Sequence, residues 1–513
     1  MNTEEYLNIK EQDKKNKEVK KKSKEVNKKT KKKDIKYNKK NKLDNKSKRK
    51  YNTSEKSSNL IIPKNLYPKL YSRLINDVDS IHSTPIKFSN ADFGLFNNYK
   101  IPEQITELNY NLFLYNQGRV DYDEKYIKSF LNTDQFERWL SYNYFDFKSN
   151  NVIGQNLRQK YNIKKRGWTN AFRKMYEIIE VYNLIDKRNT KLNHFDICGY
   201  PGGFIFGTNY YLKTRTNNKE YNWYVTSYRE DNSKDPDEWK YFHDQYGLHR
   251  KYPDKFIFGS EETNYNGDIT DKRNIKEYQS FFTDNKHKTS TNKKESDTHS
   301  GIKLDLVTSD CGLAIDFEKS FTREEQMAKI YFGQLICGLA TLKKGGHIVM
   351  KTYKILKPFS ISLLYLVCCL FENVYLSKPE SSNQSTGSEV YIIGKNYYQN
   401  LSNSNINKLL DILDKFNNEL DINKSLISFD KMNSKLLDKI HSTIDEYYNL
   451  LLKRKIARNK VMKTGDHILK KNVNKYLYMR GKMYEKSIKE RSDYYDKYFK
   501  RMKYQYMLDE YNL

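Results

Sequence analysis

The chain has 513 residues, of which 37% are hydrophobic, so it can form two or three domains around a large core. Its formal net charge of +29 favours a polyanionic partner such as nucleic acid, although such a charge also serves solubility alone. The longest apolar segment, residues 361–371, is about half the length that a membrane span needs. The first residues are charged and lack a signal-peptide core, so membrane association is not expected.

The five cysteines stand at positions 198, 311, 337, 368 and 369. They form no CxxC pair and have no histidine at metal-ligand spacing. This pattern favours a reducing compartment and a protein without structural zinc. We therefore expect an intracellular protein without a metal, in the nucleus or cytoplasm, or in a viral factory or virion if the source is a virus.

The N-terminal part of the chain contains two regions of different composition. Residues 1–58 are mostly Lys, Asn, Glu and Ser, with too few apolar positions to offset the entropy cost of ordering, and they predict a disordered basic tail. The tail could bind RNA, carry a nuclear-import signal at residues 46–50, or have neither role. Residues 59–135 have no firm period and predict an accessory region of several short helices and turns, without assigned chemistry.

Short apolar segments alternate with segments of helical spacing over residues 136–400. Strands that alternate with helices indicate an α/β fold with a mostly parallel sheet and helices on both faces. A polar stretch at residues 284–301 predicts a surface insertion. The predicted strands are residues 192–198, 222–228, 256–258, 304–310, 345–351, 373–376 and 390–393, and the predicted helices are residues 168–184, 323–342 and 359–370.

Residues 401–513 have a helical period throughout and predict a helical, basic C-terminal region. Tyrosines alternate with Arg and Lys over residues 470–484. The tyrosines could stack on bases while the cations contact phosphates. The same pattern also describes an amphipathic helix whose lysines extend to solvent, and both interpretations stay open. One apolar stripe of this region consists of Ile406, Leu409, Leu410, Leu413 and Phe416.

A glycine-rich turn, GYPGGF at residues 199–204, follows the first strand of the predicted sheet. A strand, a tight loop and a helix in this order form the site where an open α/β sheet receives a nucleotide-like ligand. Glycines let the backbone approach that ligand closely, and Pro201 stiffens the turn. An ordinary strand-to-helix turn is the alternative. The lack of GxGxxG after this strand disfavours a dinucleotide-dependent oxidoreductase.

Asp310 and Lys351 end two central strands of the predicted sheet, at the edge where ligands bind. Burial of either charge is costly, so partners are expected, and a structural ion pair is one interpretation. A catalytic lysine needs a pKa well below its reference value of about 10.4. Asp310 opposes that shift, so cations such as Lys174 and a sulfonium-bearing donor must outweigh it. Glu389 begins the last strand and could orient one of the lysines.

These residues resemble the FtsJ-like (Rossmann-fold) 2′-O-ribose methyltransferases, and the likeness is closer to the mRNA cap branch than to the bacterial rRNA branch. The resemblance covers about residues 160 to 396 and implies a Rossmann-like domain whose last strand is antiparallel. It also implies a K-D-K-E set of catalytic residues formed by Lys174, Asp310, Lys351 and Glu389. The motifs that carry it are NAFRKM (170–175), ICGYPGGF (197–204), NGDIT (266–270), GGHIVMKT (345–352) and PFS (358–360).

The resemblance implies S-adenosylmethionine as the methyl donor, capped mRNA as the RNA partner, and no metal. Lys351 would accept the proton of the ribose 2′-hydroxyl, Asp310 would orient Lys351 near the methyl group, and Asp268 would lie near the adenine. Other capping enzymes are possible partners. The residues implied to bind the donor are Cys198, Gly199, Tyr200, Pro201, Gly202, Gly203, Phe204, Asp268 and Asp310.

The sequence departs from the family at two points of the donor site. Tyr200 replaces a small residue, and residues 227–229 lack the acidic residue often found after the second strand. Two further functions stay open beside cap methylation. One is 2′-O-methylation at internal rRNA or tRNA sites, and the other is RNA binding without catalysis on a methyltransferase fold.

Overall fold

The computed structural model describes residues 71–76, 86–122, 145–160, 167–216, 220–229, 244–283, 301–313, 322–382, 389–417 and 421–499. The basic tail and nearly all of the polar insertion lie outside the described residues. The predicted domain boundaries, at residues 58, 135 and 400, stay predictions.

A mixed sheet of seven strands forms the centre of the fold. The strands are β1 (Tyr71–Asn76), β2 (Phe93–Phe96), β3 (Lys191–Ile197), β4 (Glu220–Thr226), β5 (Leu304–Ser309), β6 (Leu342–Thr352), β7 (Phe371–Lys378), β8 (Val390–Tyr397) and β9 (Ser425–Ile427). The order in the central sheet is β1-β7-β8-β6-β5-β3-β4. β3, β4, β5 and β6 are parallel neighbours, whereas β8 is antiparallel to both β6 and β7. The prediction of a mostly parallel sheet with an antiparallel last strand is confirmed.

Helices pack on both faces of this sheet because successive strand residues point in opposite directions. On β6, Ile348 and Met350 join one buried cluster and Val349 joins the other. The helices are α1 (Glu103–Tyr122), α2 (Phe145–Lys160), α3 (Asn170–Tyr182), α4 (Gly203–Arg215), α5 (Leu248–Lys251), α6 (Lys272–Thr283), α7 (Arg323–Thr341), α8 (Pro358–Leu370), α9 (Asn403–Lys415), α10 (Ser434–Lys471) and α11 (Val473–Phe499).

The two clusters are built by different helices. α6 to α10 contribute to the first cluster, and α2, α3 and α4 contribute to the second. Thr169 starts α3, since its hydroxyl accepts a hydrogen bond from Phe172 N at 3.1 Å. Pro358 occupies the first turn of α8, where its missing N–H costs nothing.

Three predictions from the sequence are wrong. Residues 256–258 form a single bridge, Val225 to Phe256, and not a strand. Region 59–135 contains β1, which pairs with β7, and the 20-residue helix α1 in place of short helices. The C-terminal region is not helical throughout, because β9 pairs with β2 in a separate two-stranded sheet. The two pairings join segments about 300 residues apart, so local periodicity contains no signal for them.

The described residues include no helix with both the length and the apolar composition required to cross a membrane. They also contain no group of three or more His, Cys, Asp or Glu side chains arranged to hold a metal ion.

The close approach of α3 and α4 depends on Gly207. A Cβ atom there would lie 2.6 Å from Phe172 O and 3.3 Å from Met175 Cβ. We expect Gly207→Ala to separate the helices and lower the free energy of unfolding by about 1–3 kcal/mol. Chemical denaturation measures this, with Lys213→Ala on the exposed face of α4 as the control. An unchanged midpoint for Gly207→Ala would contradict the close contact.

Candidate active site

The loop between β3 and α4 forms one wall of a cleft at the carboxyl edge of the sheet. Gly202 has a φ of 103°, which favours glycine. A Cβ atom at Gly199 would collide with the carboxyl group of Asp196, so this position also requires glycine. The Tyr200–Pro201 peptide is cis. The loop therefore brings its main chain close to the cleft.

Most of the residues predicted to bind a donor line this cleft. Asp310 lines it, and so do all the predicted loop residues except Gly202. Asp268 is not among the lining residues; its Oδ1 atom accepts hydrogen bonds from the Thr270 backbone N–H at 2.8 Å and from the Thr270 hydroxyl at 2.9 Å. The structure adds five lining residues that the sequence did not suggest, namely Thr169, Ala171, Asp196, Gln245 and Tyr246.

Asp196 is a fully buried carboxyl group among the residues that line the cleft. Its Oδ1 atom accepts a hydrogen bond of 2.6 Å from the Thr308 hydroxyl, and its Oδ2 atom has no hydrogen-bond partner among the described residues. Burial raises the pKa of Asp196 well above its usual value. An unpaired buried oxygen is costly, so this atom is suited to bind a polar ligand in the cleft.

Cys198, which lines the cleft, is joined in a disulfide to the buried Cys311. Cys198 follows β3 and Cys311 follows β5, and their Cα atoms are 5.0 Å apart. The bond is at odds with the reducing compartment that the cysteine pattern favoured. The sequence contained no sign of it, because the two residues are 113 positions apart and meet through the parallel pairing of Ile197 with Ser309.

The four predicted catalytic side chains come together in one hydrogen-bonded cluster beside the cleft. Lys174 Nζ lies 2.8 Å from Glu389 Oε1 and donates to the Tyr391 hydroxyl at 3.2 Å. Tyr391 donates to Asp310 Oδ1 at 2.8 Å. Lys351 Nζ contacts the same Oδ1 atom at 3.0 Å and the Asp310 carbonyl at 2.6 Å. Tyr391 is therefore a fifth member, which links the two ion pairs.

Gln334 of α7 fixes the strand ends that carry Asp310 and Lys351. Its Nε2 atom donates to the Lys351 carbonyl at 2.9 Å, and its Oε1 atom accepts from the Ser309 hydroxyl at 2.5 Å. Gln334 is fully buried, so both bonds are shielded from water. The side chain of Gln334 thus bridges the C-terminal ends of β5 and β6.

The charges around Lys351 favour its ammonium form. Burial lowers the pKa of Lys351, but Asp310, Tyr353 and Glu389 raise it by more, so its pKa lies above the usual value. The Lys174 charge is offset by Glu389. Burial raises the pKa of Glu389, but Lys174, Lys351 and Lys378 lower it by more, so its carboxyl group is ionised. The cations among the described residues therefore do not provide the field that a lowered pKa of Lys351 requires.

The region that carries the cleft and the cluster matches a known family. A model of the FtsJ-like methyltransferases matches residues 168–397, which include all five members of the cluster. A protein of African swine fever virus named probable methyltransferase EP424R is 30% identical over 327 residues, or 62% of this chain and 68% of that protein. The chain belongs to the FtsJ-like methyltransferase family.

Other relatives are similar to parts of this chain. An uncharacterised protein of Acanthamoeba polyphaga mimivirus is 31% identical over 65% of this chain and 40% of its own length. Cap-specific mRNA (nucleoside-2′-O-)-methyltransferase 2 of Danio rerio is 28% identical over 45% of this chain and 28% of its own length. The chain therefore spans less than half the length of these two relatives.

Tyr391 and Asp196 were not predicted as site residues, although the two-residue alternation of side chains along a strand could have indicated both. Tyr391 lies two positions after Glu389, and Asp196 lies two positions before Cys198. Residues two apart on a strand point to the same face, so both could have been placed near predicted site residues. Gln245 and Tyr246 had no such signal, because they lie on a connection outside the strands.

Proposed function

We propose that this chain is an S-adenosylmethionine-dependent RNA methyltransferase that methylates the ribose 2′-hydroxyl of the cap-proximal nucleotide of mRNA. The observation that carries the proposal is the cluster of Lys174, Glu389, Tyr391, Asp310 and Lys351 beside the cleft. The name of the Danio rerio relative supports the cap as the target. The net charge of +29 supports a nucleic acid as the partner.

The residues of the cleft fit S-adenosylmethionine. The donor carries positive charges on its sulfonium and amino groups, and Asp196 and Asp310 offer carboxyl oxygens in the cleft. The loop of residues 198–204 offers backbone groups at close range, because glycine stands at 199, 202 and 203. When bound, S-adenosylmethionine would supply an electrophilic methyl group.

Lys351 is the candidate base for the 2′-hydroxyl. An ammonium group has three hydrogen-bond donors, and Asp310 accepts two of them, through Oδ1 and its carbonyl. The third direction is available for the ribose oxygen. After Lys351 loses its own proton, its lone pair can accept the hydroxyl proton. A positive charge nearby disfavours the ammonium form, so the neutral amine is more accessible with the donor bound.

Lys174 and Glu389 hold the opposite side of the cluster. Tyr391 transmits their position to Asp310, since its hydroxyl contacts both Lys174 and Asp310. Burial, Asp310 and Glu389 raise the pKa of Tyr391, so this hydroxyl keeps its proton and acts as a donor. The role of this set is to align the reacting hydroxyl, because alignment can supply roughly 7–11 kcal/mol of a barrier.

The test is transfer of labelled methyl from S-adenosylmethionine to two transcripts of one sequence, one capped and one uncapped. We expect label on the capped transcript alone, at the 2′-oxygen of its first or second nucleotide after mapping of the digest. Label on both transcripts at an internal position would indicate the rRNA or tRNA type of reaction. RNA binding without any transfer would indicate a noncatalytic protein and would overturn the proposal.

A further inference from the structure

Glu389 enters the cluster on the connection from β7 to β8. Its carboxylate accepts a hydrogen bond of 2.7 Å from the Ser382 hydroxyl at Oε1, the oxygen that lies 2.8 Å from Lys174 Nζ. Lys378, at the end of β7, donates to the Glu389 carbonyl at 2.7 Å. The position of Glu389 thus depends on how residues 379–382 are held.

Residues 380 and 381 are held by Glu177 of α3. The Glu177 carboxylate accepts hydrogen bonds from the Glu380 N–H at 2.8 Å, the Ser381 N–H at 3.3 Å and the Ser381 hydroxyl at 3.1 Å. Glu177 lies three residues after Lys174, so both side chains lie on one face of the helix. The same helix therefore holds this connection at two points.

Glu177 lies beside a second buried acid, Glu380. Burial and the charge of Glu380 raise the pKa of Glu177 to about 7. Two carboxylates so close in a buried site require a cation or hydrogen-bond donors. α11 supplies both, since Arg491 forms an ion pair with Glu380 and Tyr494 donates to Glu177 Oε1 at 3.1 Å. Arg491 also donates to the Glu380 carbonyl at 3.3 Å.

α11 is held in this place by its own packing. Leu477 is buried, Ile488 and Tyr494 pack against the cluster that includes Tyr176 of α3, and Arg491 is 2% exposed. The spacing of these residues, 11, 3 and 3, places them on one face of a helix. The solvent-facing side of α11 includes Tyr478 and Lys489.

We propose that Arg491 and Tyr494 are positioning residues for methyl transfer, which act through Glu177 and Glu380 to hold Ser382, Glu389 and Lys174 in place. The inference rests on the proposed function. It makes the C-terminal helix part of the catalytic unit, although Arg491 and Glu380 are 111 residues apart along the chain.

The experiment compares Tyr494→Phe and Arg491→Met with two matched controls in the full chain. Tyr478→Phe loses a hydroxyl but keeps the ring that could stack on bases, and Lys489→Met loses a cation; both residues lie on the exposed side of the same helix. We expect kcat to fall about 10-fold in Tyr494→Phe and about 100-fold in Arg491→Met, because small misplacements of aligned groups are costly. The donor affinity and the KM for RNA should stay the same as in the parent. The two controls should have the kcat of the parent. A kcat equal to that of the parent in all four variants would overturn the proposal.

A double-mutant cycle separates positioning from general stability. If Tyr494 acts through Ser382, Ser382→Ala and Tyr494→Phe should each lower kcat, and the double variant should fall by less than the product of the two effects. If the fold-decrease of kcat in the double variant equals the product of the two single decreases, the two residues act independently, which would contradict the proposal. Tyr494→Phe removes one hydroxyl, so it keeps the test informative if Arg491→Met does not fold.

Hydrogen exchange gives a readout that needs no activity. Arg491→Met and Tyr494→Phe should speed exchange at the amides of Glu380 and Ser381, whose acceptor is Glu177, whereas the controls should not. If the parent transfers no methyl group, the proposed function fails and exchange alone decides the positioning. Unchanged exchange in both variants would overturn the inference even with an active parent.

Discussion

Lys351→Ala should lower kcat for methyl transfer by about 10²–10⁴-fold, the usual contribution of a positioned base. Donor binding should stay close to that of the parent, because the side chain of Lys351 is not among the residues that line the cleft. Lys351→Arg should be nearly as inactive. It keeps the positive charge, but a guanidinium does not release its proton in the accessible pH range. Radiolabelled transfer and calorimetric titration of the donor measure the two quantities.

Lys343→Ala is the matched control for this prediction. Lys343 lies at the other end of β6, where it pairs with Asp305. We expect it to retain full activity. Loss of donor binding and transfer to the same extent in Lys351→Ala would show that Lys351 supports the structure and does not act as the base.

Asp310→Asn should move the rising limb of the kcat–pH profile to lower pH, by about 1–3 units, while the maximal rate falls. The Asp310 charge favours the ammonium form of Lys351, and it is one cause of the raised pKa of that lysine. Below this pKa the fraction of neutral amine grows with pH, so the parent rate should rise. Without the charge the neutral amine forms at lower pH. The maximal rate falls because the introduced amide does not orient the amine as a carboxylate does.

The pH profile of Asp305→Asn serves as the control, since Asp305 lies near the start of β5, far from the cleft. Its profile should match that of the parent. A limb that stays in place or moves to higher pH in Asp310→Asn would mean that another group controls the rate.

The parts of the site that follow from local sequence patterns and from the order of the strands were predictable. The glycines of residues 199–204 alone predict a tight turn. Asp310 and Lys351 could be placed at the carboxyl edge of the sheet, because parallel strands end at the same edge. Lys174 was predicted as a nearby cation and Glu389 as a carboxylate at the start of the last strand, and the family resemblance then assigned both to the catalytic set. The role of each stays a prediction until variants are measured.

The parts that were missed depend on contacts distant in sequence. The bond from Cys198 to Cys311 and the ion pair from Arg491 to Glu380 join residues more than 100 positions apart. The protonation state of Lys351 also could not be predicted from the sequence. It depends on Lys174 being offset by Glu389, and a sequence does not give the distances that decide such a balance.

The direction of β8 has a consequence for how this enzyme family can diversify. Asp310 and Lys351 lie at the C-terminal ends of their strands. Glu389 lies at the N-terminal end of β8 but at the same edge of the sheet, because β8 is antiparallel to its neighbours. The end of β7 and the start of β8 therefore lie on the side where the RNA would enter. Insertions between Ser382 and Glu389 would lengthen the connection between these two strands without changing any strand pairing, so new substrate preferences could evolve there while the reaction is retained.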